Sequence, residues 1–274
     1  MPVYNGADTV EEAVRSLLAQ SYERLEILVV DDGSTDASVA IVAGIQDSRI
    51  KLLRRDHQGL VKTLNHGCAQ AQGEYIARLD ADDVAYECRV AAQVEYLEGH
   101  SDVGLLGTWA KIVSEDGEEE TFEPPVSDRA LRRHLLWDNP FIHSSVMFRR
   151  VAFQEAGGYP EGLAEEYRLW IQMARSWKIG VLPEMLVRHR IHQASYTRRQ
   201  RRAAALRGRF KAQWEAARTL GPWQHAIPAL GVTGGAYLLA VLGGRPETTV
   251  RSLVRGLSRR SRGFRERRPK ERVG

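Results

Sequence analysis

Apolar, strand-like segments alternate with helix-like segments over the first 113 residues of the chain. Residues 26–30 form a near-continuous apolar run, which is typical of a strand buried on both faces. Residues 10–18 place apolar side chains at helical intervals, and Thr9 and Glu12 have the spacing of a capping box. This order predicts an α/β fold with a mostly parallel central sheet and helices on both of its faces.

Acidic side chains follow two of the strand-like segments at the point where each one ends. Asp31 and Asp32 come directly after the first of these segments, and Asp80, Asp82 and Asp83 come directly after the other. In parallel sheets, ligands bind beyond the carboxyl ends of the strands. We therefore expect the five carboxylates to lie close together at one edge of the sheet.

Spacing alone leaves two interpretations of these acids open. The crowded carboxylates of Asp80, Asp82 and Asp83 repel one another unless a cation neutralises them, and Mg²⁺ or Mn²⁺ with oxygen ligands would do so. They could instead form a solvated acidic turn in which Asp83 caps the next helix. Asp31 and Asp32 either bind a nucleobase or ribose or form a turn that leads into a helix.

Two further groups of polar residues occur in the second half of the chain. Glu165 and Glu166 open a predicted helix, where the helix dipole favours carboxylates and where one of them could also serve as a general base. His189 and His192 lie three residues apart near the end of a predicted strand. They supply either a metal or phosphate contact or ordinary surface histidines.

The net charge of +4 comes largely from the C-terminal end, where residues 245–274 carry eleven Arg or Lys against three Asp or Glu. The uncharged stretch 226–244 lies between this basic end and a basic run at 198–202. Such a combination suits peripheral contact with an anionic membrane face. The alternatives are a helix packed on the rest of the protein and a membrane span, and no motif supports nucleic-acid binding.

Cys68 and Cys88 do not form a CxxC pair, which excludes a disulfide scaffold and a cysteine zinc site and fits a reducing compartment such as the cytoplasm. Changes in composition along the chain predict three units. They are the alternating unit 1–115, the unit 116–196, which begins with an acidic connector, and the basic, partly apolar and helical extension 197–274.

Eight motifs that occur in order over residues 1 to about 196 are similar to those of one enzyme family. They are PVYNG (2–6), LVVDDGSTDAS (28–38), Gln58-Gly59-Leu60 with Asn65, GEYIARLDADD (73–83), NPFIHSSVMFRR (139–150), GGYPEG (157–162), AEEYRLWIQMA (164–174) and RHRIHQAS (188–195). The chain resembles the family 2 glycosyltransferases, whose nucleotide-diphospho-sugar transferase fold is the Rossmann-like A type.

The resemblance implies an enzyme that moves a sugar from a nucleoside-diphosphate sugar, of the UDP or dTDP type, to a hydroxyl of a saccharide or lipid-linked acceptor, with inversion of the anomeric carbon. Residues 1–115 would bind the nucleotide sugar, and residues 116–196 would bind the acceptor and carry the catalytic group. Such a bacterial enzyme would work in cell-envelope polysaccharide or glycolipid synthesis, in the cytoplasm or peripherally at the inner face of the cell membrane.

The resemblance also implies roles for individual residues on the donor side. Pro2, Tyr4 and Asn5, together with Asp31 and Asp32, would bind the nucleotide part of the donor.

Other residues would contact the diphosphate, the sugar and the acceptor. Asp80 would contact the ribose or the sugar, and Asp82 would hold Mn²⁺ or Mg²⁺ on the diphosphate, with His192 as a further ligand. Glu166 would be the general base, and Arg190 and His192 would close over the diphosphate or the acceptor. Secondary candidates for the same site are Asp83, Glu165 and His189.

The chain departs from the family pattern at two places. The family's leading strand has several apolar residues before the PVYN motif, whereas Met1 directly precedes it here, so we expect the natural start to lie upstream. Glu166 stands where the family usually has Asp, and Arg168 stands where it often has Asp. Misplacement of a reacting group by about 1 Å can cost roughly 100-fold in rate.

Two alternatives to an active transferase remain at this point. One is a catalytically impaired relative that binds sugar nucleotides without turning them over. The other is a receiver-type signalling domain, which also has paired acids after one strand and an Asp after a later one. The receiver domain would require a Lys at the end of its last strand, and it would leave the motifs at 139–195 without a role.

Overall fold

The computed structural model describes residues 1–191, 202–220 and 227–241. Its strands are β1 (Pro2–Val3), β2 (Ile27–Asp31), β3 (Ile50–Arg54), β4 (Tyr75–Ala77), β5 (Val84–Ala85), β6 (Val103–Ser114), β7 (Glu119–Phe122), β8 (Met147–Arg149) and β9 (Lys178–Ile191). Its helices are α1 (Val10–Leu18), α2 (Ser38–Gly44), α3 (Leu60–Gln70), α4 (Arg89–Gly99), α5 (Asp128–Leu135), α6 (Arg150–Glu155), α7 (Glu165–Ser176), α8 (Arg202–Thr219) and α9 (Ile227–Val241).

The first sheet consists of three parallel strands in the order β1-β2-β3. The central strand, β2, is buried along most of its length, as its uninterrupted apolar run predicts. Val10 and Val14 of α1 and Val42 of α2 pack with Ile27 and Val29 of β2 in one apolar cluster. This packing fixes the direction of β2, and the carboxyl end of the strand therefore delivers the predicted acidic pair.

The second sheet is mixed, with the strand order β4-β8-β6-β9-β5 and with β7 paired to β6. The long strands β6 and β9 are parallel, whereas β4 pairs antiparallel with β8 and places Tyr75 opposite Arg149. The α/β class with parallel strands and flanking helices is confirmed. The antiparallel pairing of β4 could not be read from the order of elements, because its partner β8 lies about seventy residues further along the chain.

The main core lies between the second sheet and helix α7. Trp170 and Leu169 of α7 pack with Phe148 of β8, and all three side chains are fully buried. Helix α8 adds Ala212 and Ala216 to the same cluster. Helix α7, which begins at Glu165, is thus anchored in the main apolar core.

The capping box predicted at the start of α1 is wrong. Thr9 does occupy the N-cap position, but its side chain makes no capping hydrogen bond. The carboxylate of Glu12 instead accepts hydrogen bonds from Arg188 and Arg190 at the end of β9. Two guanidinium groups outcompete a single backbone N–H for this carboxylate, because charge-assisted hydrogen bonds are the stronger ones.

A cavity of about 530 Å³ lies between β2 of the first sheet and β4 of the second. Leu28 and Val30 line it on one side, and Ile76 lines it on the other. The α-ammonium group of Met1 lies beside it and donates to the carbonyl oxygen of Leu28 at 2.8 Å. Burial and the charge of Arg78 lower the pKa of this amine to about 5.

The uncharged stretch near the C-terminus forms helix α9, which packs against α8. Ala229, Thr233 and Ala236 of α9 are buried, and Gly234 lies against the ring of Phe210 on α8. Among the helices in the ranges given above, none has the length and hydropathy needed to cross a bilayer. The division into units at residues 115 and 196 stays a prediction.

Candidate active site

Three carboxylates gather in the turn that follows β4. Asp80, Asp82 and Asp83 each offer an oxygen atom, and these three oxygens lie within 4.8 Å of one another. The backbone N–H of Asp83 donates to the carbonyl oxygen of Asp80 at 3.3 Å, which closes the turn. The expected crowding of negative charge after this strand is therefore present in the fold.

Asp80 is held from the strand that delivers it and from the 143–145 turn. The buried guanidinium of Arg78 forms an ion pair with its carboxylate, and the hydroxyl of Ser144 donates to the other carboxylate oxygen at 3.2 Å. The backbone N–H of Asp80 in turn donates to the Ser144 hydroxyl at 3.0 Å. Burial opposes ionisation of Asp80, but Arg78 outweighs it and holds the pKa below its usual range.

Asp83 joins the acidic turn to the end of β9. Its carboxylate accepts from the backbone N–H of Arg190 at 2.7 Å and lies 2.9 Å from Nδ1 of His189. The idea that Asp83 caps the next helix is wrong, since the N-cap of α4 is Cys88. Burial disfavours the charged form of His189, but the hydrogen bond to Asp83 and the nearby acids outweigh it, and the pKa of His189 is raised.

The acids at the end of β2 organise the turns around them. Asp31 accepts from the backbone N–H of Ser34 at 3.2 Å, and Asp32 accepts from the backbone N–H groups of Gln58 and Gly59 at 3.0 and 2.9 Å. Both carboxylates are almost completely buried. The turn interpretation is thus confirmed for Asp31, whereas Asp32 holds the distant segment 58–59. A contact of either residue to the nucleotide stays a prediction.

An aromatic pair stands beside Asp32. The ring of Tyr4 stacks on the imidazole of His57, with centroids 4.2 Å apart and planes at 27°. Nδ1 of His57 lies 2.9 Å from the carboxylate of Asp32, and the Tyr4 side chain is 47% exposed. A Cβ atom at Gly33, whose φ is +78°, would lie 2.8 Å from the backbone nitrogen of His57, so glycine permits this close approach.

Asn5 and Pro2 shape the loop that carries Tyr4. Asn5 has a left-handed backbone with φ of 51°, and its side-chain oxygen accepts from the backbone N–H of Thr35 at 2.8 Å. Pro2 lies in β1 opposite Val30. These contacts tie the first loop to the turn after β2, and direct binding of a ligand by Pro2 or Asn5 stays a prediction.

Arg190 reaches the acidic turn through its backbone and reaches α1 through its side chain. Its guanidinium donates to Glu12 at 2.9 Å, and Arg188 contacts the other oxygen of the same carboxylate. The end of β9 is thereby fixed against the first helix. His192, predicted as a metal ligand, lies outside the described residues, and its role stays a prediction.

The carboxylate of Glu166 is held at both oxygens by side chains of the 139–143 loop. Nδ2 of Asn139 donates to Oε1 at 2.9 Å, and Nδ1 of His143 lies 2.9 Å from Oε2. Burial opposes ionisation, but His143 and the nearby guanidinium of Arg78 outweigh it, and the pKa of Glu166 is lowered. The group is thus ionised at neutral pH and is 31% exposed.

Glu165, the residue before Glu166, lies in a more buried environment. Its side chain is only 5% exposed, and burial together with the charge of Glu166 raises its pKa to about 7. Ala164 before it has a left-handed backbone with φ of 55°, a conformation that costs a residue other than glycine about 1–2 kcal/mol. The first turn of α7 therefore starts from a strained position, as segments at functional sites often do.

Two neighbouring residues connect the acidic turn after β4 to Glu166 of α7. Ser144 contacts Asp80, and His143, the residue before it, contacts Glu166. The charge of Arg78 acts on both carboxylates. One short loop thus links the acidic turn after β4 to the first turn of α7.

Helix α8 supports α7 from the opposite side. Arg168 forms an ion pair with Glu215 of α8 at 3.0 Å and donates to the carbonyl oxygen of Glu161. A Cβ atom at Gly208 would lie 2.7 Å from that of Leu163, so α8 sits directly against the loop before Glu165. Arg168, which looked like a departure in the sequence, therefore joins α7 to α8.

The acidic turn has a donor set that suits a hard divalent cation. Mg²⁺ and Mn²⁺ prefer oxygen ligands, and Asp80, Asp82 and Asp83 supply carboxylate oxygens. Asp80 and Asp83 are already held by Arg78 and by the end of β9. Asp82 is half-buried and belongs to the same cluster, and its role as the principal ligand stays a prediction.

Sequence reasoning did not single out four residues that shape the site. His143, Ser144 and Asn139 lie within a motif that carries the family resemblance, but nothing in the motif shows which side chains they contact. His57 lies next to Gln58-Gly59, and a histidine beside a glycine turn gives no signal of its own. Each contact joins elements distant in sequence, and only an alignment of relatives could have marked the positions.

A family model supports the interpretation of these motifs. Residues 1–157 match the family described as Glycosyl transferase family 2. An uncharacterized glycosyltransferase of Haemophilus influenzae is 30% identical over 206 residues, which cover 69% of this chain and 63% of that protein. The chain thus spans less than two thirds of the length of this relative.

A relative with a more informative name comes from Erwinia amylovora. The amylovoran biosynthesis glycosyltransferase AmsE is 30% identical over 188 residues, which cover 67% of this chain and 71% of that protein. The two relatives agree on the class of protein.

Two solved structures share the architecture of this chain. TarS 1–349 of S. aureus, in complex with UDP-GlcNAc, has a TM-score of 0.68 and 18% identity over 90% of this chain and 72% of that one. The mannosyltransferase PcManGT of Pyrobaculum calidifontis, in complex with GDP-Man and Mn²⁺, has a TM-score of 0.59 and 22% identity over 94% and 78%. At such identities the likeness shows the fold, which is the A type.

The family match excludes the receiver-type signalling domain. It covers more than half of the chain, and relatives reach 30% identity over two thirds of it. The protein belongs to glycosyltransferase family 2.

Proposed function

We propose that the protein is an inverting glycosyltransferase that moves a sugar from a nucleoside-diphosphate sugar to an acceptor hydroxyl. The observation that carries this proposal is the link between two kinds of carboxylate. Glu166 is ionised and partly exposed, and the 143–144 segment joins it to the acidic turn at Asp80. One site for the diphosphate and one base for the acceptor is the division of labour that the reaction requires.

The proposed reaction makes and breaks one bond at the anomeric carbon. Glu166 takes the proton of the acceptor hydroxyl as its oxygen bonds to that carbon from the face opposite the diphosphate. The bond between the carbon and the diphosphate oxygen breaks, and its electron pair leaves with the diphosphate. The transition state resembles an oxocarbenium ion, as in glycoside hydrolysis.

We propose that Asp82, with Asp80 and Asp83 beside it, holds Mn²⁺ or Mg²⁺, which would neutralise the charge of the leaving diphosphate. The oxygen-only donor set and the Mn²⁺ named with PcManGT support this choice. Arg78 keeps Asp80 ionised, which leaves that carboxylate ready to accept from a hydroxyl of the ribose or sugar.

The nucleobase would lie on the stacked pair of Tyr4 and His57. Exposed aromatic rings bind bases of any sequence by stacking, and the carboxylate of Asp32 beside them can accept from a base N–H. UDP-GlcNAc and GDP-Man are named with the two solved structures. They support a nucleoside-diphosphate sugar as the donor, and we propose a UDP or dTDP type.

We propose that the acceptor is a saccharide or a lipid-linked saccharide of a bacterial envelope polysaccharide, as the name of AmsE supports. A stripe on α8 would bring the enzyme to the inner face of the cell membrane. Its members are all exposed and share one helix face, because each lies three or four residues from another member. They are Arg207, Phe210, Lys211, Trp214 and Arg218. Basic and aromatic side chains on one helix face suit anionic lipid.

Vesicle flotation tests the membrane contact. We expect the protein to float with vesicles that contain phosphatidylglycerol and not with vesicles of phosphatidylcholine alone. Trp214→Glu should release it. Val151→Glu, which changes an equally exposed apolar residue on α6, should leave binding unchanged. Equal binding of both variants would remove the stripe from the proposal.

A donor screen tests the transferase itself. We expect one nucleoside diphosphate to raise the melting temperature in the presence of Mn²⁺, and the matching sugar donor to support transfer to an acceptor saccharide. Tight donor binding without turnover under any condition would instead identify a catalytically impaired sugar-nucleotide-binding relative. Failure of every nucleotide to bind would overturn the proposed function.

A further inference from the structure

A chain of three side chains ends on the carboxylate of Glu166. Nδ1 of His143 lies 2.9 Å from Oε2 of Glu166, and Nε2 of the same ring lies 2.8 Å from the hydroxyl oxygen of Tyr159. Asn139 occupies the other carboxylate oxygen. Within the described residues, each oxygen of Glu166 thus has a donor, and both donors come from the 139–143 loop.

The hydrogen bonds that join Tyr159, His143 and Glu166 run in one direction. An ionised carboxylate only accepts, so Nδ1 of His143 must bear the hydrogen and Nε2 must accept from the Tyr159 hydroxyl. Burial raises the pKa of Tyr159 well above its usual value, and the hydroxyl keeps its proton. Burial and the charge of Arg78 lower the pKa of His143, and the ring is neutral at pH 7.

The far end of the chain is rigid. The side chain of Asn65 on α3 binds the backbone of Tyr159. Its Nδ2 donates to the carbonyl oxygen of Tyr159 and its Oδ1 accepts from the N–H of Tyr159, both at 2.9 Å. The edge of the His143 ring packs against Trp170, with centroids 5.7 Å apart, and the His143 side chain is 7% exposed. The imidazole thus has little freedom to turn away from Glu166.

We propose that His143, held by Tyr159, is a positioning residue that aims the carboxylate of Glu166 at the acceptor. The inference rests on the proposed function, in which Glu166 is the base. The charged or titratable groups that interact with Glu166 include His143, Arg78, Asp80, Glu165 and Tyr159. Among them, His143 is the one that contacts a carboxylate oxygen directly.

Variants of the two residues separate positioning from packing. Asparagine can place its amide nitrogen near the position of Nδ1, so His143→Asn keeps the donor to Glu166, whereas His143→Ala removes it. We expect His143→Ala to lower kcat by roughly 100-fold, the scale expected for a misplaced reacting group, and His143→Asn to recover at least about tenfold of that loss. Tyr159→Phe keeps the ring and should cost less than His143→Ala.

Binding and pH measurements show which step changes. The Kd of the donor by calorimetry should stay within about twofold in all three variants, because Arg78 and Ser144, which contact Asp80, are unchanged. The acid limb of the pH profile of kcat/KM should move to higher pH in His143→Ala, since Glu166 loses a donor that favours its ionised form. His134→Ala, a partly buried histidine of α5, is the matched control and should show neither change.

Native kcat in His143→Ala, or equal losses of kcat in the Ala and Asn variants, would overturn the inference. If the native chain transfers no sugar, the proposed function fails, and nitrogen-15 spectra of the ring still decide the inference. A neutral His143 with its hydrogen on Nδ1, perturbed in Tyr159→Phe, supports it. A ring with its hydrogen on Nε2, or a cationic ring at pH 7, contradicts it.

Discussion

The carboxylates of the proposed donor side and the carboxylate of the proposed base, Glu166, are held in different ways. Asp32 accepts from two backbone N–H groups, and Asp83 accepts from a third. Glu166 is held by two side chains, those of Asn139 and His143. Backbone donors persist through most substitutions, whereas side-chain donors vanish with one. The base side should therefore be the more sensitive of the two to single changes.

The two sides also differ in what lies behind them. The donor-side acids sit at strand ends, where the direction of β2 or β4 sets their position. The proposed base, Glu166, lies on the first turn of α7, which begins after a strained Ala164 and packs against α8. Helix α8 thus supports the turn that carries Glu166 without contacting Glu166 in the contacts described above.

The largest expected effect is on the base. Glu166→Gln should lower kcat by about 10³-fold, within the range of general-base catalysis, and should leave donor affinity intact. Glu165→Gln is the matched control, since it removes the neighbouring carboxyl group. Turnover assays and calorimetry on both variants provide the measurement. Loss of turnover in Glu165→Gln alone would assign the base to Glu165, whose pKa is already about 7.

The next effect is on the acidic turn. Asp82→Ala should weaken Mn²⁺-dependent donor binding by about 100-fold. Mutation of residues that only support a metal ligand already lowers metal affinity by about 10- to 100-fold. Asp116→Ala removes an exposed carboxylate from the turn between β6 and β7 and should bind the donor normally. Titration calorimetry with and without Mn²⁺ makes the comparison, and unchanged binding in Asp82→Ala would end the metal assignment.

The smallest expected effect is on the contact between α7 and α8, and it tests whether kcat can change without a change in donor affinity. Glu215→Gln leaves Arg168 without its charged partner in a pair that is 12% and 23% exposed, and should lower the free energy of unfolding by about 1 kcal/mol. It should also reduce kcat severalfold without changing donor affinity. Glu11→Gln breaks a pair with Arg15 whose side chains are 52% and 63% exposed, and should change the free energy of unfolding by less than about 0.5 kcal/mol. Denaturant unfolding measures both variants, and a weaker donor Kd in Glu215→Gln would contradict the separation.

Much of the donor side could be predicted from the sequence, because its determinants are local. A buried apolar run predicts β2, and the acids that follow it must lie at the open edge of a parallel sheet. The start of α7 at Glu165 could be predicted as well, because carboxylates are favoured at a helix N-terminus. The capping box predicted at Thr9 is wrong because the Glu12 carboxylate binds Arg188 and Arg190 of β9, which are distant in sequence.

The sequence by itself determined the α/β class, the strand ends that carry acids and the family to which the chain belongs. These features rest on periodicity and on motifs read within a few residues. Only the tertiary structure decided that β4 pairs with β8, that Arg168 joins α8 and that His143 meets Glu166. Those contacts join residues far apart in the chain, and their partners are selected by packing of the whole core, which no local pattern encodes.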